Sequence, residues 1–188
     1  RFLLYFAALG FGFIAIEMAL LSQFSLFLGQ PVYTYAVVLA SLLIFTGVGA
    51  NLSGRVSDPR RALKRIILVL LSILAASAFL IPFAFSLALG LSLPLRVMLS
   101  IFVLAPLAIS LGMPFPLGLR LVSHEAEILV PWAWGVNGFF TVVGTVMALI
   151  LAMSFGFRMV LMLGGVSYLL AWIAILNSRR NAQGFQAT

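Results

Sequence analysis

Residues 2–28, FLLYFAALGFGFIAIEMALLSQFSLFL, decide the fold class. A helix crosses a bilayer with about 20 apolar residues, and this run exceeds that while carrying one charged residue, Glu17. It is too long for a secretory leader, lacks a small-residue cleavage pattern, and is followed by more runs of the same kind. Working outward, windows of similar hydropathy predict spans near 3–28, 33–51, 66–89, 95–119, 131–153 and 159–177. The predicted fold class is therefore all-α, a polytopic transmembrane bundle of about six helices forming one membrane-embedded domain over residues 1–188. The chain starts on Arg1 rather than methionine and enters the first span at once, so a fragment of a longer polypeptide is expected.

Composition agrees. Of 188 residues 64% are hydrophobic and 8% charged, with a mean hydropathy of +1.23, whereas a soluble domain carries about 25% charged residues. The sequence has no cysteine, which removes disulfides, thiolate metal sites, iron–sulfur ligation and cysteine nucleophiles. Its one histidine, His124, cannot build a multi-histidine metal site or a bis-imidazole haem, and no metal or cofactor is expected.

The net charge of +7 would fit nucleic acid if the cations formed a solvated patch, but they lie between the apolar runs. No nucleic-acid partner is expected. Placing the connector from Asn51 to Arg65 in the cytoplasm puts nine cations inside (Arg1, Arg55, Arg60, Arg61, Lys64, Arg65, Arg120, Arg179, Arg180) and two outside (Arg96, Arg158). That bias is the positive-inside rule, and it predicts both termini on the cytoplasmic side of a bacterial inner membrane. Trp132 and Trp134 beside Pro131, and Tyr33 and Tyr35 beside Pro31, mark opposite borders.

Inside the spans, Gly144, Ala148 and Ala152 recur every fourth residue and predict a groove for a close helix neighbour, which makes span five an interior helix. Ala36 and Ala40 offer a shorter groove in span two. Span four ends in Gly112-Met113-Pro114-Phe115-Pro116, where Pro114 and Pro116 remove backbone donors and break the helix before Arg120. Breaks of this kind line sites in transporters, and at this depth a plain helix end is the alternative. Asn137 lies at similar depth in span five and is expected to bond the carbonyls freed near residues 110–112. Glu17 stands fourteen residues into span one, about 20 Å deep, so it should face the bundle interior and find a partner or stay neutral. Thr46, Ser110, Thr141 and Thr145 are the depth-matched hydroxyls.

Catalysis has little foothold. No span holds paired carboxylates, no strand precedes a glycine-rich loop, and His124, Glu125 and Glu127 on the fourth connector read as a solvated turn.

Four segments carry a family resemblance: LGFGFIAIEMALLSQFSLFLG (9–29), PVYTYAVVLASLLIFTGVGANLSGR (31–55), GMPFPLGLRL (112–121) and PWAWGVNGFFTVVGTVMALILAMSFGF (131–157). Together they resemble the C-terminal membrane region of bacterial spermidine-synthase-like membrane proteins, over nearly the whole chain. The resemblance implies an adjoining Rossmann-like aminopropyltransferase-type domain, of whose nucleoside-binding and catalytic residues none can be placed on this sequence. The connector ANLSGRVSDPRR (50–61) is similar, more loosely, to the loop signature of major facilitator transporters through Leu52, Gly54, Arg55, Arg60 and Arg61, with Ala50 in place of the opening glycine and Asp58-Pro59 interrupting the match.

Two functional classes follow. One is a noncatalytic membrane module that anchors a soluble domain or packs against other membrane subunits within the lipid bilayer. The other is half of a transporter moving a small metabolite, a cation being one option, past Glu17. The first needs only apolar faces and packing grooves; the second needs a polar path through the bundle.

Overall fold

The computed structural model describes residues 1–176 and is all-helical over them apart from short turns. Its α-helices are α1 (Phe2–Leu28), α2 (Pro31–Gly54), α3 (Pro59–Ala88), α4 (Leu93–Gly112), α5 (Pro114–Glu125), α6 (Val130–Phe155) and α7 (Phe157–Leu176), with one 3-10 turn at Glu127–Leu129. Taking α4 with α5 as one span, six are long and apolar enough to cross a bilayer, so the chain is a multi-pass membrane protein. The cations Arg179 and Arg180 lie outside the described residues.

Local chemistry sets the helix ends. Gly29 closes α1 with φ 77°, a left-handed conformation that glycine adopts without strain, and Pro31 restarts the chain in the first turn of α2. Asp58 accepts hydrogen bonds from the Arg60 and Arg61 amides at 3.1 Å each while Pro59 occupies the first turn of α3. Asp58-Pro59, which breaks the transporter-like loop pattern, is thus an N-cap followed by a helix-starting proline.

The central helix is α1, not span five. In the most apolar stretch of α1, 61% of residues are buried, against 17% for the span containing α6. The predicted groove of Gly144, Ala148 and Ala152 is buried, but it is the one inner stripe of a peripheral helix and packs on α1. A small-residue stripe fixes how closely two backbones approach, not which helix the others surround. Ala36 and Ala40 are exposed, so the predicted groove does not seat a neighbouring helix among the described residues; α2 meets α4 through another face, where Gly49 and Gly112 allow backbone contact. The bundle is thus α1 held between α6 and α7, joined to an α2–α4 pair, with α3 and α5 bridging the two groups. Its core runs the length of α1, from Phe6 and Leu9 through Ile16 and Leu20 to Phe24 and Phe27, and Phe85 of α3 stacks on Phe27 at 3.9 Å.

Candidate functional site

The prolines of span four do break the helix. Met113 separates α4 from α5, and neither Pro114 nor Pro116 can donate to the carbonyls of Ser110 and Gly112. At the break lies a cavity of about 420 Å³. Pro114, Phe115 and Pro116 close one end, Leu9 and Phe13 of α1 form the floor, and α2 and α6 contribute Thr46 and Asn137 to its walls. The site residues Pro114, Pro116 and Asn137 are therefore brought together. An aromatic chain runs beside them: Tyr5 meets Phe6 at 5.1 Å, Phe6 meets Phe115 at 5.3 Å, and Phe115 meets Trp134 at 4.7 Å, all edge to face.

The hydrogen bonds differ from the expected ones. Asn137 does not reach the carbonyls near residues 110–112; its Nδ2 donates to the Phe6 carbonyl of α1 at 3.1 Å. The reason is proximity: Gly10 has no side chain, and a Cβ there would collide with the Asn137 carbonyl, so α6 sits against α1 at this level. Beside the break, Tyr5 ties α5 to α1: its hydroxyl donates to the carbonyl of Pro114, the first residue of α5, at 2.6 Å, not to the freed carbonyls of Ser110 and Gly112. Sequence reading missed Tyr5 because a tyrosine near a membrane border is explained by the border alone. The signal that would have found it is Gly118, where any Cβ would strike the Tyr5 ring.

Glu17 lies half-buried on α1, one turn beyond Phe13 on the same face, and makes no hydrogen bond or ion pair with any described residue. The expected hydroxyl partners are committed elsewhere. Thr46 donates to the Leu42 carbonyl, Ser110 to Pro106, Thr141 to Asn137 and Thr145 to Thr141, each at 2.6–2.9 Å. In an apolar helix the carbonyl four residues back is already in place, so a hydroxyl bonds it in preference to a distant carboxyl.

Arg120 does not line the cavity. It reaches back to the end of α2, where Nη1 donates to the carbonyls of Ser53 at 3.0 Å and Val56 at 2.9 Å, a cation at a helix C-terminus. On the same face Glu125 pairs with Arg60 and lies 3.9 Å from Arg1, tying together the N-terminus, the loop before α3 and the end of α5. The stretch carrying His124 and Glu125 is thus the last turn of a helix, not a free loop. At the opposite face Arg96 does the equivalent work, bonding the carbonyls of Leu89, Leu91 and Phe27 and so holding the α3–α4 turn to the end of α1. Among the described residues no three His, Asp or Glu side chains converge as metal ligands would.

Compared with known proteins, this chain matches no family model, no curated protein and no solved structure.

Proposed function

We propose that the chain is an integral membrane module of the spermidine-synthase-like kind, which performs no chemistry of its own and anchors an adjoining soluble domain or packs as a subunit against other membrane proteins. The observation that carries this reading is the apolar core along α1, with Phe6, Leu9, Ile16, Leu20, Phe24 and Phe27 all buried in it, while the span's polar side chains on that helix, Glu17, Ser22, Gln23 and Ser25, are only partly buried. A transported polar solute needs a path of groups free to replace its water. Here the intramembrane hydroxyls of Thr46, Thr141 and Thr145 are each turned onto their own helix. The transporter-like loop is also accounted for locally, since Asp58 caps α3 and Arg60 pairs with Glu125.

In this reading the face bearing Arg1, Arg60, Arg120 and Glu125 is the cytoplasmic side of a bacterial inner membrane, where an attached soluble domain would meet the ion-paired platform. The cleft at Pro114 then presents a rigid, aromatic-lined recess near that platform.

The test is purification from native membranes in mild detergent, followed by reconstitution. The module reading expects the chain to run as part of a larger covalent or noncovalent assembly, and vesicles of the purified chain to take up no polyamine. Polyamine uptake that disappears in Glu17→Gln would overturn it in favour of the transporter half.

A further inference from the structure

At the cation-rich face, between the first turns of α3 and the last turns of α7, lies a second cavity of about 340 Å³. Three cations and one carboxylate line it: Arg60, Arg61, Lys64 and Asp58. Its remaining walls are Leu63, Ile175 and Trp172. The cations are not equally occupied. Arg60 is engaged by Glu125, and Arg61 Nε lies 3.2 Å from Asp58 Oδ2, but Lys64 is exposed and pairs with nothing among the described residues. The Asp58 carboxylate is itself spent on the α3 amides and on Arg61, so the cavity keeps a positive excess.

We infer that this cavity binds the phosphate of an anionic phospholipid, with Lys64 and Arg61 on the headgroup and the partly exposed ring of Trp172 against its glycerol region. Three observations point to lipid. Arg61 and Lys64 are exposed in the lining, and beside them Leu63 and Ile175 belong to the buried core, so the cations border directly on the apolar bundle. Position matters too, because the site falls where α3 emerges from its apolar stretch, the level of lipid headgroups. Finally, Trp172 in the wall is partly exposed while its Nε1 is enclosed and bonds no described residue, so the ring offers apolar surface beside the cations. A free phosphate ion would use the cations and gain nothing from the Trp172 ring.

The experiment titrates the purified full chain, in a neutral detergent, with phosphatidylglycerol, phosphatidylcholine or inorganic phosphate, and follows its unfolding temperature. Phosphatidylglycerol should raise it saturably, and the other two should not. Lys64→Gln and Arg61→Gln should each weaken the phosphatidylglycerol response about fivefold, the effect of one cation close to an anionic headgroup. Arg55→Gln removes an exposed cation on the same face outside the cavity and should leave the response unchanged. An equal response to inorganic phosphate, an equal loss in Arg55→Gln, or no preference for phosphatidylglycerol over phosphatidylcholine would each overturn the inference. Should Arg61→Gln weaken the start of α3 and fail to fold, Lys64→Gln decides alone, because its side chain holds no other described residue in place.

Discussion

The Tyr5 hydroxyl, at the start of α1, donates a 2.6 Å hydrogen bond to the carbonyl of Pro114, 109 residues away, at the point where the fourth span breaks. Both groups are buried, and the ring packs against Gly118 one turn further along α5. The bond fills neither carbonyl freed by the prolines, those of Ser110 and Gly112, but it anchors the first residue of α5 and so couples the position of α5 to the central helix.

Removing that hydroxyl in Tyr5→Phe should therefore lower stability by about 1 kcal/mol, the usual worth of one buried hydrogen bond. Gly118→Ala should cost more, because its methyl group displaces the ring as well. The double substitution should fall short of the sum, since both act on the same contact. Unfolding in a graded detergent series measures all three. Strict additivity would show that Gly118 and Tyr5 do not share a contact.

Glycines separate into two groups by what surrounds them. Gly10→Ala drives a methyl group into the Asn137 carbonyl and should destabilise the α1–α6 pair by about 2 kcal/mol, in the range of overpacked cores. Gly135→Ala and Gly138→Ala, on the open side of α6, meet no atom and should be neutral or slightly stabilising. Thermal unfolding of the three variants is the measurement, and equal losses at positions 10 and 135 would refute the assignment of α6 faces.

Arg120→Gln takes a charged donor from the Ser53 and Val56 carbonyls and should free the last turn of α2. Hydrogen exchange of the Arg55 and Val56 amides, which bond Leu52 and Ser53, should accelerate about tenfold, as expected from losing ~1.5 kcal/mol of charge-assisted hydrogen bonding. Exchange elsewhere in α2 should not change. Uniform acceleration along α2 would mean that Arg120 supports the whole helix and not its end.

Orientation is open to chemical labelling because the sequence has no cysteine of its own. Ser57→Cys and His124→Cys, both exposed on the cation-rich face, should react only with reagents that cross the membrane, and Ser92→Cys at the other face with impermeant ones. The reverse pattern would place the cation-rich face outside.

Glu17 is where the module and transporter readings part most sharply. With no bonded partner among the described residues, its carboxyl contributes little to the bundle. Glu17→Gln should leave assembly intact, and Glu17→Leu should insert at least as well, since an acidic group at mid-bilayer costs about 3 kcal/mol on insertion scales. Yield in the membrane fraction and unfolding temperature follow both variants. A sharp loss of assembly in Glu17→Leu would reveal a partner that the chain alone does not supply.

The number of spans, their approximate limits and the break at Pro114 and Pro116 were legible in the sequence. Each is a local property: hydropathy is summed over about 20 neighbours, and a proline's missing donor is fixed by the residue itself. Which residues meet was not legible. Glu17, Asn137 and the hydroxyls were matched by depth, but depth along a helix leaves its rotation free, and in lipid the rotation is set by close packing and not by polarity. The tertiary structure decided it through small residues. Gly10 brings Asn137 to Phe6, Gly118 brings Tyr5 to Pro114, and α1 becomes the central helix because Gly10 and Gly12 on one side and Gly144 and Gly164 on its neighbours let α6 and α7 approach it closely. Arg120 follows the same logic at the surface: the sequence placed its charge at the border, and only the fold brought the open end of α2 within its reach.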